Sequence, residues 1–241
     1  MAILSEPGKI LITGATHGIG KAAAELFCSR GWEVYGISGN GEDGRGAAME
    51  KTLPGFHYRV ADVSNEPEIS ALLGRIGQLD AAFNNAGTGI APQKLSEADI
   101  ARARRVIDVN LVGTLICMKH EIAHMPGSGV VVNNASLAAF KAATGADMSY
   151  SASKAGVLAL TAEAAANPEF AGRVSFFSIA PGYIETRMTA ADDKEAQKRR
   201  LPARRLGQPA ELDALVYNII TNHYAFTSGQ CFNFDGGAFL I

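Results

Sequence analysis

The stretch that decides the fold is "KILITGATHGIGKAAAELFCS", residues 9–29. It opens with a short apolar, β-branched run, breaks at Gly14, and resumes from Gly18 to Ser29 with a helical pattern. A strand that turns into a helix through glycines leaves backbone N–H groups free at the helix start. Those groups and the helix dipole favour an anion such as a phosphate. The glycine spacing is G-x-x-x-G-x-G, and taken alone such a turn serves equally well as a tight strand–helix connection.

The same alternation continues outward. Further strand candidates are EVYGIS (33–38), HYRV (57–60), DAAFN (80–84), VVVNN (130–134), RVSFFS (173–178) and CFNF (231–234). Helical patterns run between most of them, at about 65–76, 96–125, 150–165 and 209–220. Strands alternating with helices predict an α/β fold, a seven-stranded, mostly parallel sheet with helices on both faces. Two segments lack this order. GNGEDGRG (39–46) reads as a flexible connection, and 187–205, rich in charge around Pro202, reads as a surface excursion or lid. A chain of 241 residues without an internal repeat is a normal length for one such domain, 1–241.

Composition narrows the partners. A formal charge of -2 gives no general basic field, which argues against nucleic acid and anionic membrane surfaces. No apolar run approaches the roughly 18 residues of a membrane helix, and the first residues do not form a signal peptide. Cys28, Cys117 and Cys231 lie far apart in apolar stretches and read as reduced core thiols of a cytoplasmic protein.

The octet SYSASKAG (149–156) places Tyr150 and Lys154 one helical turn apart, on one face, among small residues. Other short motifs share its order in the chain. They are TGATHGIG (13–20), "DV" at Asp62 and Val63, NNAG (84–87), Asn110 in VNLVG, Ser136, and APGYIET (180–186), with SGQCFNFDGG (228–237) closing the series. This ordered set, spanning nearly the whole chain, resembles the short-chain dehydrogenase/reductase family.

The resemblance implies a Rossmann-type doubly wound domain that transfers a hydride between a nicotinamide coenzyme and a secondary alcohol or ketone. It implies Tyr150 as general acid/base, Lys154 as its electrostatic support and as a hydrogen-bond donor to the nicotinamide ribose, and Ser136 as the holder of the substrate oxygen. Asn110 would organise a helix kink and a proton-relaying water. A free tyrosine ionises near pH 10, so work near neutrality asks for about 4 kcal/mol of help, roughly what one ammonium about 4 Å away supplies. By the same resemblance Gly14, Thr16, His17, Gly18, Ile19 and Gly20 form the cofactor turn. Asn85, Ala86 and Gly87 line the adenosine ribose, Asp62 and Val63 the adenine, and Pro181, Gly182, Ile184 and Thr186 the nicotinamide end. Asp62 serves equally as an N-cap for the helix that follows.

Two departures stand out. The interval from Ser136 to Tyr150 is one residue longer than is common in the family, which implies a bulged loop there. Where the second strand ends, an acidic residue would select NAD and a nearby arginine NADP, but this chain has Ser38 and Gly39. An uncharged Ser38, with His17 and Arg45 within reach, tilts the reading toward NADP over NAD. A homotetramer or homodimer is the family's usual assembly, and the apolar end GGAFLI (236–241) suits a buried interface.

Two other readings compete. HEIAH (120–124) satisfies H-E-x-x-H, the spacing of a zinc hydrolase, with His223 the one downstream histidine as a third ligand. A polar helix end with His near the C-terminal dipole accounts for it without metal, and no metal site is expected. A non-catalytic dinucleotide sensor would keep the glycine turn but has no use for Asn110, Ser136, Tyr150 and Lys154 together. The seven basic residues of the lid, Arg187, Lys194, Lys198, Arg199, Arg200, Arg204 and Arg205, suggest an anionic substrate or else a solvated face.

Overall fold

The computed structural model describes residues 7–240 apart from 40, 42, 142–146, 187–188, 190–192 and 223. Seven strands form one sheet: β1 (Lys9–Thr13), β2 (Glu33–Ser38), β3 (Phe56–Val60), β4 (Ala81–Asn84), β5 (Gly129–Asn134), β6 (Val174–Pro181) and β7 (Cys231–Phe234). Their order is β3-β2-β1-β4-β5-β6-β7, and every pairing is parallel. The helices are α1 (Gly18–Ser29), α2 (Arg45–Thr52), α3 (Glu66–Ile76), α4 (Ile100–Ile107), α5 (Gly113–Ala123), α6 (Met148–Ala166), α7 (Lys194–Arg200) and α8 (Pro209–Thr221).

Burial follows from the sheet being covered twice. In β1, Ile10 and Ile12 face one core with Ala23, Ala24 and Phe27 of α1 and Leu212, Val216 and Ile219 of α8. Leu11, between them, faces the other core with Ile69, Leu72 and Leu73 of α3 and Cys117 and Met118 of α5. This is the two-residue period of a strand read out on both faces. The inner strands β5 (GVVVNN) and β6 (VSFFSIAP) are buried at every position, which is why apolar residues there follow one another instead of alternating with charged ones. Phe27, fully buried and edge-on to Trp32 at 5.2 Å, anchors the first core; its truncation to Ala should cost about 3–5 kcal/mol.

Three departures from the sequence reading bear on the site. The single helix expected over 96–125 is broken. A 3-10 turn (Leu95–Glu97) precedes α4, whose start is capped by the Asp99 carboxylate accepting from Arg102 N at 3.1 Å. A π-helical turn (Asp108–Val112) then separates α4 from α5. The connection 39–46 carries the start of α2, entered from Gly44 in the left-handed region (φ 66). The lid carries α7, capped by Asp193; Arg187 and Asp192 lie outside the described residues. Cys28 and Cys231 are half-buried and only Cys117 is fully in the core; all three are free thiols. No helix among the described residues is long and apolar enough to cross a membrane.

Candidate active site

The carboxyl ends of β1, β4, β5 and β6 meet where β1 has β2 on one side and β4 on the other. In a parallel sheet this reversal of order opens a crevice beyond the strand ends. The glycine turn lines it. Gly14 (φ 68) and Gly18 (φ 48) take left-handed backbone that side chains rarely adopt. A Cβ on Gly14 would stand 3.0 Å from Ala86 Cα, and one on Gly20 2.3 Å from Gly14 O. The turn therefore packs against β4's exit without side chains between, and leaves the N–H groups at the start of α1 uncovered by bulk. That cradle fits a pyrophosphate.

The exit of β4 is tied to β1. Thr13 Oγ1 accepts from Asn85 N at 2.9 Å and Ala86 N at 2.8 Å, and Asn85 Nδ2 donates to Thr13 O at 3.1 Å. Ile19 packs against the α1 core, and Thr16 Oγ1 contacts His17 Nδ1 at 2.8 Å. A Cβ on Gly18 would touch Thr186 at 3.3 Å, so the loop after β6 closes over the turn. In that loop Gly182 N donates to Phe234 O at 2.9 Å beyond Pro181, and Ile184 is buried and bridged to Gly207.

The proton-transfer candidates converge across the crevice. Asn110 is fully buried in the π-helical turn. Its Oδ1 accepts from Thr88 N at 2.8 Å, and its Nδ2 donates to Thr88 O at 2.9 Å and Ser153 Oγ at 3.0 Å. A helix with an extra residue per turn exposes backbone otherwise sealed, and such turns recur at functional sites. α6 starts at Met148 because Asp147 accepts from Ser149 N at 2.8 Å, which puts Tyr150 and Lys154 in its first two turns. The Lys154 ammonium donates to Asn134 O at 2.6 Å. A side chain at Gly87 would lie 3.4 Å from Asn110 Oδ1 and 3.5 Å from Lys154 Nζ, and one at Gly89 would meet the Tyr150 ring at 3.6 Å. Glycines thus keep the space before both groups open. Ser136 starts a short 3-10 turn, accepting from Ala138 N at 3.2 Å, and hydrogen-bonds Tyr150.

The ionisation of this group differs from the expectation. Burial pushes the Tyr150 phenol above 10.0, and the Ser136 hydrogen bond recovers part of that shift. Burial also lowers the Lys154 ammonium to about 8. The Lys154 ammonium donates to the Asn134 carbonyl and stands 5.8 Å from the centroid of the Tyr150 ring.

The adenosine end also differs. Ser38 Oγ lies 2.6 Å from Tyr58 OH. His17 Nε2 and Arg45 Nε both approach Asp43 Oδ2, at 3.4 and 3.7 Å. Asp62 is not an N-cap: Asn65 holds that position. Burial raises the Asp62 carboxyl, but hydrogen bonds from Ser64 and Arg105 outweigh this and hold it below the usual range; Arg105 sits at 2.7 Å. Val63 is buried under Gly113. An open depression of about 500 Å³ at the sheet edge, lined by Arg59, Asn65, Glu68 and Arg75 among others, contains none of the catalytic candidates.

HEIAH does not converge. His120 Nε2 meets Glu66 Oε1 at 3.0 Å, and His124 Nδ1 donates to His120 O at 2.8 Å. Glu121 points the other way, fully buried, accepting from Asn84 Nδ2 at 2.9 Å. Among the described residues no three His, Cys, Asp or Glu are grouped to hold a metal; His223 lies outside them. In the lid, Lys194 pairs with Glu185, Lys198 with Glu195 and Arg205 with Glu211, so much of its charge is matched.

Sequence reasoning missed Thr13, Thr88, Asn134 and Ser153, which hold the site residues in place. Thr13 and Asn134 end strands beside glycine or serine motifs, Thr88 directly follows NNAG, and Ser153 lies within SYSASKAG, so each had a positional signal.

A family model described as "short chain dehydrogenase" matches residues 8–197. The chain is 34% identical to a cis-4-hydroxycyclohexanecarboxylate dehydrogenase of Sinomonas cyclohexanicum, over 94% of each chain. It is also 34% identical to a cyclohexanol dehydrogenase of Acinetobacter sp. strain SE19, over 94% of this chain and 92% of the other. Among solved structures it resembles levodione reductase, with a TM-score of 0.87 and 28% identity over 98% of both chains. With the fold, the glycine cradle and these matches in agreement, the chain belongs to the short-chain dehydrogenase family, NAD(P)-dependent oxidoreductases of CH–OH and C=O groups.

Proposed function

We propose that this chain, as a single domain, oxidises a cyclic secondary alcohol or reduces the corresponding ketone, with Tyr150 as general acid/base. The observation that carries the reading is the convergence of Ser136, Tyr150, Lys154 and Asn110 on the space kept open by Gly87 and Gly89. The ring-alcohol substrate class rests on the two relatives named for cyclohexane-ring alcohols. Gly14, Thr16, His17, Gly18, Ile19 and Gly20 hold the pyrophosphate side of the coenzyme. Ser38, Asp62, Val63, Asn85, Ala86 and Gly87 hold the adenosine side, and Pro181, Gly182, Ile184 and Thr186 the nicotinamide side.

When bound, the nicotinamide supplies or accepts the hydride. Ser136 orients the substrate oxygen, and Tyr150 gives its proton to the forming alcoholate in reduction or takes the hydroxyl proton in oxidation. Lys154, desolvated and held by Asn134 O, places positive charge beside the phenol as it ionises. A second cation arriving beside Tyr150 acts in the same direction and opposes the rise caused by burial. Asn110 keeps the π-helical turn in register with α6 through Ser153.

On coenzyme choice, Asp43 faces the two side chains, His17 and Arg45, on which a preference for NADP rests. Its carboxylate offsets their field, so the reading is NADP or NAD, with Asp43 setting the balance. Exposed Ile100, Val112 and Leu115 on the α4–α5 side, and Phe239 and Leu240 at the chain end, support a homotetramer or homodimer. Three free thiols suit the cytoplasm.

Fluorescence titration with NADH and NADPH, followed by turnover on cyclohexanol and cis-4-hydroxycyclohexanecarboxylate beside open-chain alcohols, tests the reading. Saturable coenzyme binding with faster turnover on the ring alcohols is expected. Binding without turnover on any alcohol or ketone favours the sensor.

A further inference from the structure

Arg105, in the last turn of α4, reaches away from its own helix to the segment that follows β3. Its Nη2 donates to Asp62 Oδ2 at 2.7 Å and its Nη1 to Ser64 Oγ at 2.7 Å. Ser64 Oγ donates onward to Asp62 Oδ1 at 2.7 Å, and Ser64 N donates to the same oxygen at 2.9 Å. The three side chains close a ring of hydrogen bonds. Arg105 lies 43 positions from Asp62 and 41 from Ser64, so the fold and not local sequence brings it there.

The ring stands at the adenosine end of the crevice. A Cβ on Gly39, just beyond β2, would lie 3.8 Å from Asp62 Cα, so the exits of β2 and β3 run side by side. The side chains of Asp62 and Arg105 are 30% and 55% exposed, within reach of a docked molecule. An ionised carboxylate offers about four acceptor positions. Ser64 takes those on Oδ1 and Arg105 takes one on Oδ2, so the remaining acceptor capacity is on Oδ2. A planar guanidinium serves two acceptors in one fixed geometry, which a flexible ammonium does not. Exposed ion pairs add little stability. What this one achieves is to hold an accessible carboxylate in a single orientation.

We infer that Arg105 is a positioning residue for coenzyme binding, holding Asp62 so that its Oδ2 accepts the exocyclic amine of adenine. The inference rests on the oxidoreductase reading above, which puts Asp62 on the adenosine side, and it adds a residue of α4 to that side. A carboxylate held this way accepts from an amine and repels a carbonyl. It therefore favours adenine over hypoxanthine, in which a carbonyl replaces the amine.

The test uses whichever of NADH and NADPH the wild type binds more tightly, beside the same coenzyme carrying hypoxanthine in place of adenine. Fluorescence titration gives the Kd of each for wild type, Arg105→Ala, Arg105→Met, Asp62→Asn and the Asp62→Asn/Arg105→Ala pair, and circular dichroism reads folding. Losing the pre-ordering of one side chain should weaken the adenine coenzyme about threefold to tenfold in Arg105→Ala. The hypoxanthine coenzyme, with no amine to offer, should stay within twofold. Arg105→Met keeps the apolar stem and should behave as Arg105→Ala does. On the Asp62→Asn background, removing Arg105 should add nothing. A purely structural role would weaken both coenzymes alike or lower only the active fraction. Adenine-coenzyme affinity within twofold of wild type in Arg105→Ala, equal losses for both coenzymes, or an undiminished effect on the Asp62→Asn background overturns the inference. If Arg105→Ala does not fold, the same results in Arg105→Met do so. Tyr150→Phe, run in parallel, separates the two claims: full turnover there overturns the oxidoreductase reading, whatever Arg105 does.

Discussion

Two of the molecule's suggestive motifs, Tyr150–Lys154 and His120–His124, place side chains four residues apart on a helix, and only the first meets the crevice. At the start of α6, Tyr150 and Lys154 face the ends of β4 and β5, where Ser136, Asn134 and Asn110 already stand. At the end of α5, His120 and His124 satisfy an equally suggestive spacing, but one ring turns to Glu66 and the other to its own helix backbone. Spacing on a helix fixes which side chains share a face. What that face meets decides whether they share a task. α6 meets the open carboxyl edge of the sheet, while the end of α5 meets α3 and solvent.

The sharpest way to break this contrast is Tyr150→Phe. The phenylalanine keeps the ring against Gly89 and removes the proton. If the α6 pair is the reactive one, turnover falls by about 10²–10⁴-fold, the usual worth of a positioned acid/base, while coenzyme affinity stays near wild type. Steady-state kinetics beside a coenzyme titration reads both. Retained turnover would place the chemistry elsewhere and remove the distinction between the two segments.

How much of this was legible in the sequence depends on the distance of the partners. β1, β2, β7 and α1 were readable to the residue because their signals are local: β-branched runs, a glycine break, helical periodicity. The spacing of Tyr150 and Lys154 on one helix face was readable for the same reason, while their role came only from the family resemblance. The break of the 96–125 helix was legible only as the kink that the family resemblance placed at Asn110, since the contacts that hold its π-helical turn lie 22 and 43 residues away. α2 was missed because its sequence is polar and its entry depends on the left-handed backbone of Gly44. Burial of the Tyr150 phenol, which raises it, was not legible because it is a property of the assembled site and not of local spacing.

A second prediction concerns Glu121, the would-be base of HEIAH. It is fully buried, with Oε1 unpartnered, and burial raises its carboxyl from 4.5 to about 8. A folded acid that ionises later than its unfolded counterpart stabilises fully below pH 4.5 and loses that contribution as pH rises toward 8. The loss runs at about 1.4 kcal/mol per pH unit across the window, a few kcal/mol in all. Glu121→Gln keeps an acceptor for Asn84 and cannot ionise. Denaturant unfolding at pH 5 and pH 8 should show the wild type losing more stability than the variant, with turnover near pH 7 unchanged. Asp213 on α8, with both carboxylate oxygens buried and unpartnered and its carboxyl raised to about 8, has the same sign. Adding Asp213→Asn to Glu121→Gln should therefore flatten the dependence further. Parallel losses in wild type and Glu121→Gln would show that Glu121 is not the neutral core acid described here.

The smallest effect is expected from the histidines themselves, and it closes the contrast. His120 contacts a Glu66 carboxylate that Lys119 also holds at 2.6 Å, so removing the imidazole leaves the acid paired. His124 makes a single bond to a carbonyl at a helix end, where the backbone is only partly satisfied in any case. Each substitution to Ala should cost no more than about 1 kcal/mol in unfolding experiments, and turnover should stay within twofold, because neither ring reaches the crevice where Tyr150 and Lys154 stand. Chelator treatment should likewise leave turnover unchanged. If turnover were instead abolished by chelation and restored by zinc in the wild type, but not in His120→Ala or His124→Ala, the imidazoles would have to converge in a conformation other than this one. The segment set aside here as a helix end would then be the working site. Because the two outcomes differ in kind rather than degree, this weakest perturbation discriminates between the segments as cleanly as the strongest.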